Sequence, residues 1–288
     1  MAKGRDRGRS EAGLTTLEQT LRRTIKGEVL FDKASRGRYS TDASIYQVEP
    51  VGVVLPRDET DLGLVVDIAR DAGAAILPRG AGTSQCGQTV GNALVVDVSK
   101  YLREVVGFDK NRAEVTVQPG VVLDQLNAWL RPHGLWYPVD VSTSAQCTLG
   151  GMAGNNSCGS RSIRYGNMVH NVASIDAILA TGERARFGSA RPEDMPAAVR
   201  TIADKVAALA FAERAEIERH YPKVLRRVGG YNLDIFFPQS ERPYTLDNSV
   251  NLSHLLVGSE GTLAVTERLT LKLASLPVAS LGPKSLHD

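Results

Sequence analysis

The stretch from Ser142 to Gly166, STSAQCTLGGMAGNNSCGSRSIRYG, constrains this chain more than any other. It is dense in Gly, Ser and Asn, and strand-like apolar runs flank it on both sides. Such a segment cannot build a core of its own, because glycine contributes no side chain and loses the most backbone freedom on ordering. A long loop within a compact domain is usually functional or disordered. Here small residues alternate with amides and hydroxyls, which lets a backbone lie closely along a large polar ligand. An upstream loop, Pro78-Arg79-Gly80-Ala81-Gly82-Thr83-Ser84, has the same chemistry. The two together pose the question of one ligand held between them.

At 288 residues the chain suits one large domain or two small lobes around a sizeable core. A net charge of +2 gives no general argument for a nucleic-acid partner or an anionic membrane. Cys86, Cys147 and Cys158 are too few and too irregular for a disulfide framework or a CxxC metal site. No apolar run approaches the roughly 18 residues of a membrane helix. The start, MAKGRDRGRS, lacks the apolar region of a secretory signal. A cytoplasmic protein without a membrane span is the expectation.

The residues up to about Glu11 read as a basic tail, and Leu14 to Ile25 has helical spacing. Val51 to Leu55 is a short apolar run suited to a strand buried on both faces. Asp58 to Thr60 supply helix-capping residues ahead of Leu62, Val65, Val66, Ile68 and Ala69 on one helical face, and Gly73 stands where a helix ends. Ala74 to Leu77 and Ala93 to Val98 read as further strands. The PRGAGTS loop therefore leaves the carboxyl end of a strand in a strand-helix-strand unit, the edge where open α/β sheets bind ligands. Val105 to Val117 reads as strand and Val121 to Leu130 as helix, joined by Gln118-Pro119-Gly120. Ala173 to Leu179 and Arg184 to Phe187 form a plausible hairpin. Pro192 to about His220 is helical, and Leu263 to Leu273 is a long strand. The pattern predicts an α+β protein in two lobes, a small parallel βαβ lobe and a larger, mostly antiparallel sheet lobe with flanking helices.

Neither glycine loop is a Walker motif, since PRGAGTS lacks the GK[ST] ending and GGMAGN lacks lysine. Neither is GxGxxG opening a helix, which argues against a nicotinamide site. Free backbone N–H groups beside the Thr83 and Ser84 hydroxyls still suit a pyrophosphate, as an anion nest. On residues alone, a dinucleotide or phosphate ligand and plain turn-making glycines both remain open.

The ordered series PRGAGTS, QPG, TLGGMAGNNSCGSRSIRYG and GSEGTLAVTERLTL resembles the flavin-binding domain of the vanillyl-alcohol oxidase superfamily (the PCMH type). Its branch of FAD-linked D-2-hydroxy acid dehydrogenases, of the D-lactate and D-2-hydroxyglutarate type, is the most similar. YSTDASIY at Tyr39 to Tyr46 and RRVGGYNLD at Arg226 to Asp234 are similar to segments of its long members that also carry iron–sulfur domains. The resemblance implies an FAD-binding domain over residues 30–276, with lobe one at about 47–100 and lobe two at about 101–276. It leaves 1–29 as tail and helix and 277–288 as coil. It implies pyrophosphate on Pro78, Arg79, Gly80, Ala81, Gly82, Thr83 and Ser84 and on the turn of Thr148, Gly150 and Gly151. It implies the flavin ring near Pro138, Thr143, Ser144, Gly154, Asn155, Ser157, Tyr165 and Gly166, and the adenine end near Glu260, Gly261 and Val265. Ala264 stands where that pattern usually has glycine.

The same resemblance implies a 2-hydroxy acid substrate and, as a further partner, an electron acceptor or an iron–sulfur domain or chain. Relatives tether the flavin through a histidine where this chain has Thr83, or a cysteine where it has Gln146; Cys147 is one position out of step. Non-covalent FAD is therefore expected. In this class the substrate chemistry uses a histidine-rich metal patch in a following cap domain. The five histidines here are scattered without metal-ligand spacing, so no metal site and no catalytic base are assigned. His170, the only one near the expected flavin, reads as a surface-loop residue ahead of a general base, and Arg161 as either a charge near the ring or a substrate carboxylate, or a solvated loop residue. Two readings result: an FAD-dependent oxidoreductase domain, or a flavin-binding module that needs a partner chain for its cap.

Overall fold

The computed structural model describes residues 11–189, 195–237, 244–245 and 249–277. The basic tail, the residues at which the Pro192 helix was expected to begin, and all but the first residue of the C-terminal coil lie outside the described residues.

Lobe one comprises α1 (Glu11–Thr24), β1 (Glu28–Leu30), α2 (Lys33–Arg38), β2 (Gly52–Leu55), α3 (Glu59–Asp71), β3 (Ile76–Arg79) and β4 (Leu94–Asp97). Its sheet runs β1-β2-β4-β3, with β2, β4 and β3 parallel and β1 antiparallel on the edge. β2 and β4 are buried throughout, as their apolar runs require. The Asp58 carboxylate accepts from Asp61 N at 2.9 Å to cap α3, and Gly73 closes that helix at φ +58°. Leu17 and Leu21 of α1 share a core with Leu62, Val65 and Val66 of α3, so the N-terminal helix packs against this lobe.

Lobe two contains β5 (Val105–Asp109), β6 (Glu114–Val117), α4 (Leu123–Leu130), β7 (Leu135–Trp136), α5 (Leu149–Asn155), α6 (Ser162–Tyr165), α7 (Met168–Asn171), β8 (Val172–Leu179) and β9 (Arg184–Gly188). It continues through α8 (Ala197–Ala212), α9 (Arg214–His220), α10 (Ser253–Leu256), β10 (Ala264–Lys272) and β11 (Ala274–Ser275). Its main sheet is antiparallel in the order β5-β6-β10-β8-β9, and β11 pairs with β7. The two-lobed α+β architecture thus agrees with the sequence pattern.

Two segments differ from that pattern. The run Val105 to Val117 is a hairpin, not one strand, because the Asp109 carboxylate accepts from Asn111 N and Arg112 N at 2.9 and 3.0 Å and turns the chain. The glycine-rich stretch is not loop throughout. Burial of Leu149, Met152 and Ala153 holds α5 in place despite the poor helix propensity of its glycines. The two lobes meet where Ile178 and Val265 of lobe two join the core of lobe one, and where Arg268 Nε donates to Glu59 Oε1 at 2.8 Å.

Candidate cofactor site

Between the lobes lies a cleft of about 410 Å³. Lobe one contributes Pro78 through Ser84, where the chain leaves the end of β3. Lobe two contributes Thr143, Thr148, Gly150, Gly151, Gly154, Asn155 and Ser157, the turn before β10 adds Glu260 and Gly261, and β10 itself adds Val265. Sequence-predicted residues from three distant segments therefore face one cavity. Pro138, Ser144, Tyr165 and Gly166 do not line it. Pro138 is buried, Ser144 Oγ donates to Asp124 Oδ2 at 3.2 Å, and the Tyr165 ring stands edge-on to Trp136 at 5.5 Å.

The two glycine loops approach so closely that side chains would not fit. A Cβ at Gly80 would collide with Thr148 Oγ1, and one at Gly261, which sits at φ +73°, would come within 3.1 Å of the Pro78 ring. Thr148 is 2% exposed, and its Oγ1 is buried without a hydrogen-bond partner. A buried hydroxyl left unpaired costs stability, and a polar ligand seated between these loops would supply the missing bond. This orphaned hydroxyl between two glycine-walled loops fits a phosphate-bearing group.

Arg79 does something else. Its Nη2 donates to Thr41 O at 2.8 Å and its Nη1 to Thr89 O and Tyr39 O at 3.1 and 3.3 Å. Its guanidinium thereby ties the glycine loop to residues 39–41, and Ala43 N adds a bond to Gly82 O at 3.1 Å. The Tyr39 hydroxyl donates to Asp97 Oδ2 at 2.6 Å; burial and that bond push its pKa up. The conformation of the first loop is thus fixed from behind by the YSTDASIY segment.

Glu260 bridges the cleft. It adopts φ +52°, rare for a side chain of its size, and its Oε1 accepts from Asn155 Nδ2 at 3.0 Å and Gln88 Nε2 at 3.4 Å. Burial raises its pKa above the usual carboxylate value, and both amide bonds oppose that rise. Behind α5, Asn156 Nδ2 and Asn167 Nδ2 each donate to Arg227 O at 3.1 Å. The Arg227 guanidinium in turn grips Asp234, which is fully buried, with two bonds of 2.7 and 2.6 Å. The RRVGGYNLD segment is thus bolted to the loop that carries Asn155, and its Val228 lines the cleft.

Cys147 also lines the cleft, but its Sγ packs 3.5 Å from Met152 Sδ and burial pushes its thiol up to about 11. His170 is half-buried, not a surface-loop residue: its Nδ1 accepts from Asn167 N at 3.1 Å and its ring meets Tyr244 edge-on. Gln88 and Val228 were not singled out from the sequence. Gln88 carries the same amide chemistry four residues beyond Ser84, and Val228 sits inside a recognisable motif to which no role had been given.

A family model described as an FAD binding domain matches residues 50–188. Over 273 residues the chain is 33% identical to a D-2-hydroxyglutarate dehydrogenase of Pantoea ananatis, covering 92% of this chain and 26% of that protein. It is 30% identical to the enzyme of that name from Escherichia coli, with the same coverage, and 29% identical to a glycolate oxidase subunit of Bacillus subtilis, covering 46% of it. The chain thus spans about a quarter of the length of the D-2-hydroxyglutarate dehydrogenases. Among solved structures, an alkyldihydroxyacetonephosphate synthase shares the fold with a TM-score of 0.65 at 17% identity, over 92% of this chain and 41% of that one. Residues 50–188 accordingly match an FAD binding domain, and FAD is the cofactor that this match and the FAD-linked relatives support.

Proposed function

We propose that this chain is the FAD-carrying unit of an oxidoreductase that converts a D-2-hydroxy acid, of the D-2-hydroxyglutarate or D-lactate type, to the 2-oxo acid. The observation that carries the reading is the pair of glycine loops closed on the unpartnered Thr148 hydroxyl, a bed for a pyrophosphate. The names of the relatives supply the substrate class. When bound, FAD would supply the two-electron acceptor for the hydride of the substrate Cα, with the hydroxyl proton going to a base or solvent.

The chain's own residues bind and orient. Backbone donors of Gly80 to Ser84 and of Gly151, with Thr148 Oγ1, hold the pyrophosphate, while Gly150 N is already given to Pro119 O at 2.8 Å. Thr143, Gly154, Asn155 and Ser157 receive the ring, while Glu260, Gly261 and Val265 meet the adenosine end. Arg79 acts from behind, as the residue that sets the shape of the first loop. Attachment is non-covalent, because a thiol with a pKa of about 11 is a weak nucleophile near neutrality. Electrons would then pass to a second acceptor.

A second reading draws on coverage. The chain spans about a quarter of the dehydrogenases it resembles, so it would be a flavin-binding unit that turns over substrate only together with further polypeptide.

Purified protein mixed with FAD is expected to turn yellow, to release all flavin into the supernatant on acid precipitation, and to bleach anaerobically with D-2-hydroxyglutarate or D-lactate. Flavin that stays with the precipitate refutes non-covalent attachment. A yellow protein inert to every 2-hydroxy acid favours the second reading, and failure to bind FAD overturns both.

A further inference from the structure

The turn Gln118-Pro119-Gly120 stands directly behind the second glycine loop, and Pro119 itself lines the cleft. Gly150 N donates to Pro119 O at 2.8 Å, Leu149 N to Val121 O at 2.9 Å and Leu123 N to Cys147 O at 3.2 Å. Residues 119–123 thus run antiparallel to 147–150 and back them along their length. The fit is close, since a Cβ at Gly150 would collide with the Pro119 ring. On its other side the turn is pressed against the chain that leaves β4: a Cβ at Gly120 would strike Val98 O and Leu102 O. Where this turn sits therefore sets how far the second glycine loop stands from the first.

A carboxylate of the opposite lobe holds the turn. Gln118 is buried and uses both ends of its amide, Oε1 accepting from Glu104 N at 3.0 Å and Nε2 donating to Glu59 Oε1 at 3.1 Å. Glu59 lies in the first turn of α3, in lobe one, yet it reaches three segments of lobe two at once. Besides Gln118 it takes two bonds from Arg268 on β10, Nε to Oε1 at 2.8 Å and Nη2 to Oε2. Its backbone O accepts from Arg184 Nη2 on β9 at 3.1 Å, and Arg184 Nε in turn donates to Glu267 Oε1 at 2.9 Å. The Glu59 side chain is only 20% exposed, so these charge-assisted bonds are screened less than those of a surface pair. A groove of about 360 Å³ opens over the same groups, with Asp176 and Arg186 on its wall. None of the residues lining it lines the cofactor cleft, and salt can enter it.

We propose that Glu59 is a positioning residue for the cofactor. By tying Gln118 and β10 to lobe one, it holds the two glycine loops at the spacing FAD needs before FAD arrives. Without that tie the cofactor-free protein populates lobe arrangements that cannot bind, and apparent affinity falls with the fraction still competent. The inference rests on FAD as the cofactor in the function proposed above, and not on the 2-hydroxy acid as substrate.

The test is titration of the intact chain with FAD, followed by quenching of flavin fluorescence, after urea denaturation has shown each variant to be folded. Glu59→Leu should bind FAD about tenfold more weakly than wild type. Gln118→Glu, which sets two carboxylates against each other, should lose a similar amount. The exchanged pair, Glu59→Gln with Gln118→Glu, again places one amide against one carboxylate and should recover most of the affinity, a rescue that general stability does not produce. Leu17→Ala opens a cavity in the core of lobe one without touching the tie, and should lower stability while leaving FAD affinity unchanged. Added salt should weaken binding to wild type more than to Glu59→Leu, because screening loosens only a tie that is present. Wild-type affinity in both Glu59→Leu and Gln118→Glu overturns the proposal. So does an exchanged pair no better than Gln118→Glu alone, or a loss in Leu17→Ala as large as in Glu59→Leu. A wild-type chain that binds no FAD overturns the cofactor reading and the proposal with it. The expected order of affinities with a flavin that no 2-hydroxy acid reduces supports the positioning role and removes only the substrate reading.

Discussion

At the scale of single residues, the unpartnered Thr148 hydroxyl makes a prediction with two opposite signs. Thr148→Val keeps the shape and removes a buried polar atom that nothing in the protein satisfies. The FAD-free variant should therefore be more stable than wild type, by about 1 kcal/mol in urea denaturation. FAD affinity should fall about tenfold in the same variant, measured by quenching of flavin fluorescence, if the hydroxyl bonds the cofactor as proposed above. A variant destabilised without FAD and unaltered in affinity would assign Thr148 to packing alone. The threonine was legible in the sequence as part of TLGG, but its unmet hydrogen bond was not, since that depends on Gly80 arriving from another lobe. Arg79 shows the converse. Its place in PRGAGTS suggested a phosphate contact, yet its head turns to the carbonyls of Tyr39, Thr41 and Thr89, a choice set by chain contacts forty residues away.

At the scale of elements, what sequence patterning revealed was periodicity and punctuation. The buried runs of β2 and β4, the Asp58 cap of α3 and the Gly73 stop can each be read locally, as can the β8–β9 hairpin. The split of Val105 to Val117 was missed because its turn depends on one aspartate side chain among polar residues. The helix α5 was missed because three-dimensional burial, not propensity, stabilises a glycine-rich turn. Non-local support of the same kind holds α3 to the start of the sheet. Asp61, 1% exposed, accepts from Lys26 N, Gly27 N and Arg57 N at 3.0, 2.8 and 3.0 Å. Asp61→Ala leaves three backbone donors unpaired and should cost about 3 kcal/mol or more, whereas Asp58→Ala, which removes one cap, should cost about 1 kcal/mol. Chemical denaturation of the two variants checks the ranking, and equal losses would show that the Asp61 bonds are replaced by water.

At the scale of the whole molecule, the cleft exists because two lobes are clamped together, and the wall behind it contains a histidine that resists protonation. His254 is almost fully buried, its Nε2 has no partner, and Tyr244 meets its ring edge-on at 5.5 Å. Burial, reinforced by the charges of Lys272 and His170, depresses its pKa from 6.5 to about 3. In the unfolded chain His254 takes up a proton near pH 6.5, while the folded state refuses it until about pH 3. Below pH 6.5 the unfolded state therefore binds more protons, and stability falls as the pH falls, by up to about 1.4 kcal/mol per unit from this group alone. Glu59, lowered chiefly by its bond to Arg268, adds to the loss only below its unperturbed 4.5. Glu260, raised by burial, acts in the opposite sense and gains stability as acid protonates it in the fold. The contribution of His254 is isolated by difference. His254→Leu, close in volume and not titratable, should match wild type at pH 7.5 and lose less stability than wild type between pH 6.5 and 4.5. Because Asn232 Nδ2 binds His254 O at 3.0 Å and Asn232 Oδ1 accepts from Arg227 at 2.9 Å, strain at this position reaches the segment that braces the cofactor loop. Acid release of FAD should accordingly shift to lower pH in the variant. Parallel stability curves for the two proteins across that window would show that His254 does not set the acid limit of the fold.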